Sequence, residues 1–146
     1  ENPQLLVTEE MRSHFYEMAK WAKFLGVVGF IMTGLITMTA LTMGATLNAL
    51  SENPLTANNP LLALGGTAVT ILFILYAFLI FYPSLLLFQY SSNAKNGVLY
   101  GEQTALEIAI GKIKSLFKFW GILTIIIIAI YFLVILAGAI GLASAL

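Results

Sequence analysis

The sequence predicts an all-α integral membrane protein with three transmembrane helices plus amphipathic helices on the cytoplasmic side. Three observations predict it. Of 146 residues, 60% are hydrophobic and 10% charged, with a mean hydropathy of +0.93, whereas a soluble domain carries about 25% charged residues. Charge is missing from three long stretches, each containing the roughly 20 apolar residues needed to cross a hydrocarbon core of about 30 Å at 1.5 Å per residue. Open sheet edges cannot be satisfied in lipid, so such stretches form helices, β-branched runs such as Ile125-Ile126-Ile127-Ile128 included.

The first element is a charged segment, residues 1–23. The chain opens at Glu1 without a Met, which reads as a processed or partial version of a longer product. A charged segment ahead of the first apolar run is the wrong order for a secretory signal, so that run is read as a retained span. Thr8 is placed as an N-cap, with Glu9 and Glu10 in a first turn. Met11, Phe15, Met18 and Ala22 then recur at helical spacing. This amphipathic helix either lies along the interface or runs directly into span one.

Span one covers residues 24–50 and is followed by an outer loop, 51–60, rich in Asn and Pro, whose one charge is Glu52. Span two covers 61–90, interrupted by Gly65-Gly66 and Pro83. Pro83 removes a backbone bond and pushes against the carbonyl of Leu79, predicting a kink, with Ser84 placed to satisfy the freed group. A cytoplasmic loop, 91–118, follows. In it Asn96-Gly97 and Tyr100-Gly101 mark a turn. Leu106, Ala109, Ile110, Ile113, Leu116 and Phe117 then line one face, with Glu107, Lys112, Lys114 and Lys118 largely off it, predicting a helix lying in the plane of the interface. Span three covers 119–143. No internal repeat or second domain is evident, so the chain is read as a single membrane domain, 1–146.

Basic residues set the orientation. Arg12, Lys20 and Lys23 precede span one, and Lys95, Lys112, Lys114 and Lys118 lie between spans two and three; the outer loop and the C-terminal end have none. The positive-inside rule places the N-terminus in the cytoplasm and the C-terminus outside. Trp21 and Trp120 fall at the same predicted face beside Lys20, Lys23 and Lys118, as interfacial anchors do, and Lys112 and Lys114 are read as interfacial on that side too.

The residues give little reactive chemistry. Seven basic residues balance seven acidic ones, and there is no Cys and a single His, His14. Nucleic acid is not an expected partner. The three spans contain no ionisable Asp, Glu, Lys, Arg or His, which counts against a proton-coupled transporter, a pump or an intramembrane protease. Phosphate-cradling loops, metal-ligand spacings and nucleophile elbows are not found. No enzyme activity, cofactor or metal site is expected. His14, near Arg12 and Glu17, reads as a surface histidine, and Tyr76 and Tyr82 as packing aromatics.

Packing chemistry is abundant instead. Gly26, Gly29, Thr33, Thr37, Ala40 and Gly44 recur every three or four residues along span one, a seam that lets helix backbones approach closely. Thr33, Thr37, Thr39, Thr42 and Thr46 could alternatively line a polar pore. Ala137, Gly138, Gly141 and Ala145 make a second small-residue surface on span three. Whether either seam faces its own chain or a neighbour is left open by the sequence.

Three blocks carry a family resemblance: Trp21-Ala-Lys-Phe-Leu-Gly26 leading into span one, Pro83 with Leu87-Phe88 leaving span two, and Ala105-Leu106-Glu107 leading to Lys114-Ser-Leu-Phe-Lys-Phe-Trp-Gly-Ile122. Across roughly residues 21–131 the chain resembles a family of small bacterial inner-membrane proteins known only as a domain of unknown function. The resemblance implies a bacterial cytoplasmic membrane and a compact multi-span fold, and brings no activity or catalytic residue. The outer loop and the apolar tail after Leu136 lie outside it.

The leading expectation is a non-catalytic scaffold or accessory subunit of a membrane complex. Its partners are the lipid bilayer and either further copies of itself or other membrane subunits, met through the small-residue seams. A homo-oligomeric pore with a Thr-rich first span is the alternative. A lipid-interacting protein that uses Lys112, Lys114 and Lys118 is the second.

Overall fold

A computed structural model describes residues 5–56 and 58–146, with Leu61 described by its backbone alone. Glu1 to Gln4 of the N-terminal segment and Ala57 of the outer loop lie outside the described residues. The chain is all-helical, and three of its helices are long and apolar enough to cross a membrane.

α1 runs from Glu9 to Ser51. Thr8 caps it as the sequence predicts, its side-chain oxygen accepting from the Met11 backbone N–H at 3.2 Å, with Glu9 and Glu10 against the positive end of the helix dipole. The loop after Ser51 is held by its own polar groups. Thr56 donates to Leu50 O at 2.6 Å, and Asn53 Oδ1 accepts from Leu55 N at 3.1 Å. A single helical turn, α2 (Pro60–Ala63), follows.

α3 begins at Gly66 rather than at residue 61, because Gly65 takes φ 79° and breaks the helix there. It continues unbroken to Tyr100, through Pro83 and through Asn96-Gly97, so the predicted turn narrows to Gly101-Glu102. Gly101, at φ 66°, supplies the left-handed residue that ends α3. The Ser84 hydroxyl donates to Ile80 O at 2.8 Å, one residue beyond the Leu79 carbonyl that Pro83 leaves without its helical donor.

α4 runs from Gln103 to Ala145 without a break. The amphipathic segments on the charged side are therefore the ends of α1 and α4. The first enters span one directly. The second does not form an in-plane helix. Nothing between Lys118 and Phe119 stops a helix, and its apolar face is buried on α3 rather than on headgroups: Ala105, Leu106 and Ala109 are buried, and Ile113 and Leu116 half-buried. Ile110 and Phe117 remain exposed.

α3 is central, packing against α1 on one side and against the first half of α4 on the other. α1 and α3 run antiparallel, as Gly26 lies against Ser84 and Phe88 while Gly44 lies against Gly66 and Thr70. Toward the end of α3 that Gly101 terminates, three helices meet around Ala19, Ala22, Tyr90, Ala94 and Ala109. A smaller cluster of Leu47, Leu62 and Val69, with Phe73 against it, closes the opposite end of the α1–α3 pair. In between, Phe30 packs against Phe81 and Phe88, with ring centroids 5.7 and 5.9 Å apart.

Candidate functional site

The span-one seam faces its own chain. Gly26 and Gly44 are buried, and Ala40 is fully covered. A side chain at Gly26 would start 3.1 Å from Ser84 O, and one at Gly29 would collide with the Ser84 hydroxyl. Gly66 sits so close to the Gly44 carbonyl that neither helix could carry a Cβ there without moving. Close backbone approach is what small residues supply in membranes, where dispersion and interhelical hydrogen bonds hold helices together. Two such bonds cross this interface. Asn48 Oδ1 accepts from Gly66 N at 3.0 Å, capping α3 from α1, and the Thr70 hydroxyl sits 3.3 Å from Ala40 O while bonding Gly66 O at 2.8 Å. The seam is thus filled by α3 and is not a surface on which another chain could assemble.

The threonines spend their donors on their own helix. Thr33, Thr37, Thr39 and Thr46 each donate to the carbonyl four residues back at 2.8–2.9 Å, and Thr42 reaches Met38 O and Thr39 O at 3.1 Å. Thr33 and Thr37 lie at the α1–α3 contact, half-buried, while Thr39, Thr42 and Thr46 are exposed elsewhere. They form no common polar lining within the chain.

The second small-residue surface is in the opposite state. Beyond Phe119, whose ring lies 5.1 Å from that of Tyr82, α4 parts from α3. Every residue from Thr124 onward is exposed, and no side chain approaches Gly138 or Gly141 within 4 Å of where a Cβ would stand. Trp21 and Trp120 are exposed beside the basic cluster, each edge-on to a neighbouring Phe, with Lys114 and Lys118 exposed and Lys112 half-buried.

Two features at the charged end were not legible in the sequence. The Arg12 guanidinium bridges Glu9, at 3.0 Å, and the Val98 carbonyl in the last turn of α3, tying the start of α1 to the end of α3. A groove of about 460 Å³ also opens along α1 from His14 to Leu25, with α3 and α4 contributing Leu87, Tyr90 and Ile113. Tyr90 is 1% exposed, and its hydroxyl is the one buried side-chain polar atom among the described residues without a hydrogen-bond partner. Both features join residues far apart in the chain, so no local pattern announces them. Among the described residues no cluster of His, Asp or Glu could hold a metal ion. Compared with known proteins, the chain matches no family model, no curated protein and no solved structure.

Proposed function

We propose that this protein is a non-catalytic membrane scaffold, a self-associating or accessory subunit that assembles through the outer half of α4. The observation that carries the reading is α4 itself: every residue from Thr124 to Ala145 is exposed, yet this stretch presents Ala137, Gly138, Gly141 and Ala145 at the spacing that lets two helices pack closely. The size of the surface supports it. The chain exposes 10897 Å², where a compact chain of 15.9 kDa exposes about 7,400 Å². The excess is apolar helix surface left open to lipid or to another helix. On this reading assembly shifts from the span-one seam, which α3 occupies, to the span-three seam. The intrahelical bonds of the α1 threonines favour the scaffold over a Thr-lined pore.

We further propose that the N-terminus lies in the cytoplasm, on the side where the Lys and Arg residues fall in the sequence, and that the membrane is a bacterial inner membrane. Gly138→Leu with Gly141→Leu tests the assembly. The double variant should run as a monomer in mild detergent under conditions where the wild type is oligomeric or bound to other subunits, with the thermal stability of the chain unchanged. Unchanged assembly of the double variant would sink the reading.

A further inference from the structure

Gly111, Lys114, Lys118 and Gly121 recur at steps of three, four and three residues along α4, so they share one face of the helix. All four are exposed, on the side of α4 opposite the Ala105 and Ala109 face that α3 buries. Lys118 is the last charge of the chain, so the face stands where charged residues give way to an apolar run long enough to span a bilayer. Two of its properties have no cause inside the chain. Lysines one helical turn apart repel each other, and among the described residues neither Lys114 nor Lys118 has a carboxylate within ion-pair reach, while Arg12 and His14 pair with Glu9 and Glu10. Glu107, on the same face, accepts from Gln103 at 3.4 Å and lies about 10 Å along the helix axis from Lys114. The glycines are the second property. Each weakens a helix, and a Cβ at Gly111 or Gly121 would meet nothing within 4 Å, so packing within the chain does not call for either of them as it does for Gly26 and Gly29.

We propose that this face binds the headgroup of one anionic phospholipid, its phosphate shared by the Lys114 and Lys118 ammonium groups and its acyl chains lying along α4 beyond Gly121. The glycines clear the helix surface on either side of the lysine pair, so a headgroup reaches both ammonium groups at once; a larger side chain at either position would stand in its way. Charge selects the class. Two cations without a carboxylate complement a net negative headgroup, whereas a zwitterionic one brings its own cation against them. Place selects the source: Phe117, exposed beside the pair, and the apolar run after Lys118 offer acyl chains a surface that free phosphate does not use. The site lies on the first half of α4 and does not rest on assembly through the outer half.

Native mass spectrometry of the full, delipidated chain in mild detergent, titrated with dioleoyl phosphatidylglycerol and with zwitterionic dioleoyl phosphatidylcholine, tests the assignment. One phosphatidylglycerol per chain is expected, held about thirtyfold more tightly than phosphatidylcholine, as two lysines at an anionic lipid allow. Lys114→Gln with Lys118→Gln should bring the two lipids to parity, whereas Lys20→Gln with Lys23→Gln, an equal loss of charge on α1, should leave the preference in place. Gly111→Leu with Gly121→Leu keeps every charge and puts its side chains into open space, so the helical melting curve should hold while the bound lipid is lost. Equal binding of the two lipids by the wild type, equal losses from the α1 and α4 lysine pairs, a glycine double variant that still binds, displacement of the lipid by an equal concentration of inorganic phosphate, or a lipid-free oligomer that dissociates in the glycine double variant would each overturn it.

Discussion

At Gly29 an added side chain would run into the Ser84 hydroxyl, whereas Gly34, a turn and a half further along α1, has nothing within 4 Å. Both are glycines in one apolar helix, and only the first is enclosed. Gly29→Leu should therefore destabilise the α1–α3 pair by about 1–3 kcal/mol, as overpacking does, while Gly34→Leu stays within about 0.5 kcal/mol of wild type. Denaturant titration in mixed micelles, followed by circular dichroism, separates them. Equal losses would mean that the seam is not what holds these helices. The seam could be read from the sequence because small residues at helical spacing have one main use in lipid. Its partner could not, because spacing on α1 says nothing of whether Ser84 and Thr70 or a neighbouring chain lies opposite. The same holds for Asn48: an Asn near the end of a span is an ordinary residue until the fold brings Gly66 N within 3.0 Å of it.

Among the elements, α1, α3 and α4 were located by where charge stops and apolar residues begin, and the Thr8 cap was marked by its side chain. The course of the charged segments was not fixed in this way. A helix with one apolar face has the same periodicity whether that face rests on headgroups or on another helix, and here α3 takes it. The three-helix cluster at this end is closed by Arg12, which satisfies a carbonyl that the last turn of α3 leaves without a helical donor. Arg12→Ala should loosen that turn by about 1 kcal/mol, the bond being partly exposed. Amide exchange should rise in α3 near Tyr100 and stay unchanged around Phe73 and Ala77. Uniform exchange along α3 would show that Arg12 does not clamp the helix end.

For the whole molecule, the antiparallel α1–α3 pair leaves Glu52, in the loop after α1, as the one charged side chain at the end opposite the α3–α4 turn among the described residues. The chain contains no Cys, so single introduced thiols report topology without background. Ser13→Cys should resist a membrane-impermeant maleimide in intact cells and react after permeabilisation, while Glu52→Cys should react in both. The reverse pattern would invert the orientation. What the sequence could not convey at this scale is asymmetry: three similar apolar runs suggest three equivalent members of a bundle, yet two are paired and the third stands apart beyond Phe119. Because α4 is a single uninterrupted helix, anchored over its first half and unsupported over its second, it has the mechanics of a lever with its fulcrum near Phe119. From there to Ala145 is about 39 Å of helix. A tilt of about ten degrees at the fulcrum would sweep the far tip through about 7 Å at that rise per residue, so a force on the outer tip would arrive at the charged end as torque.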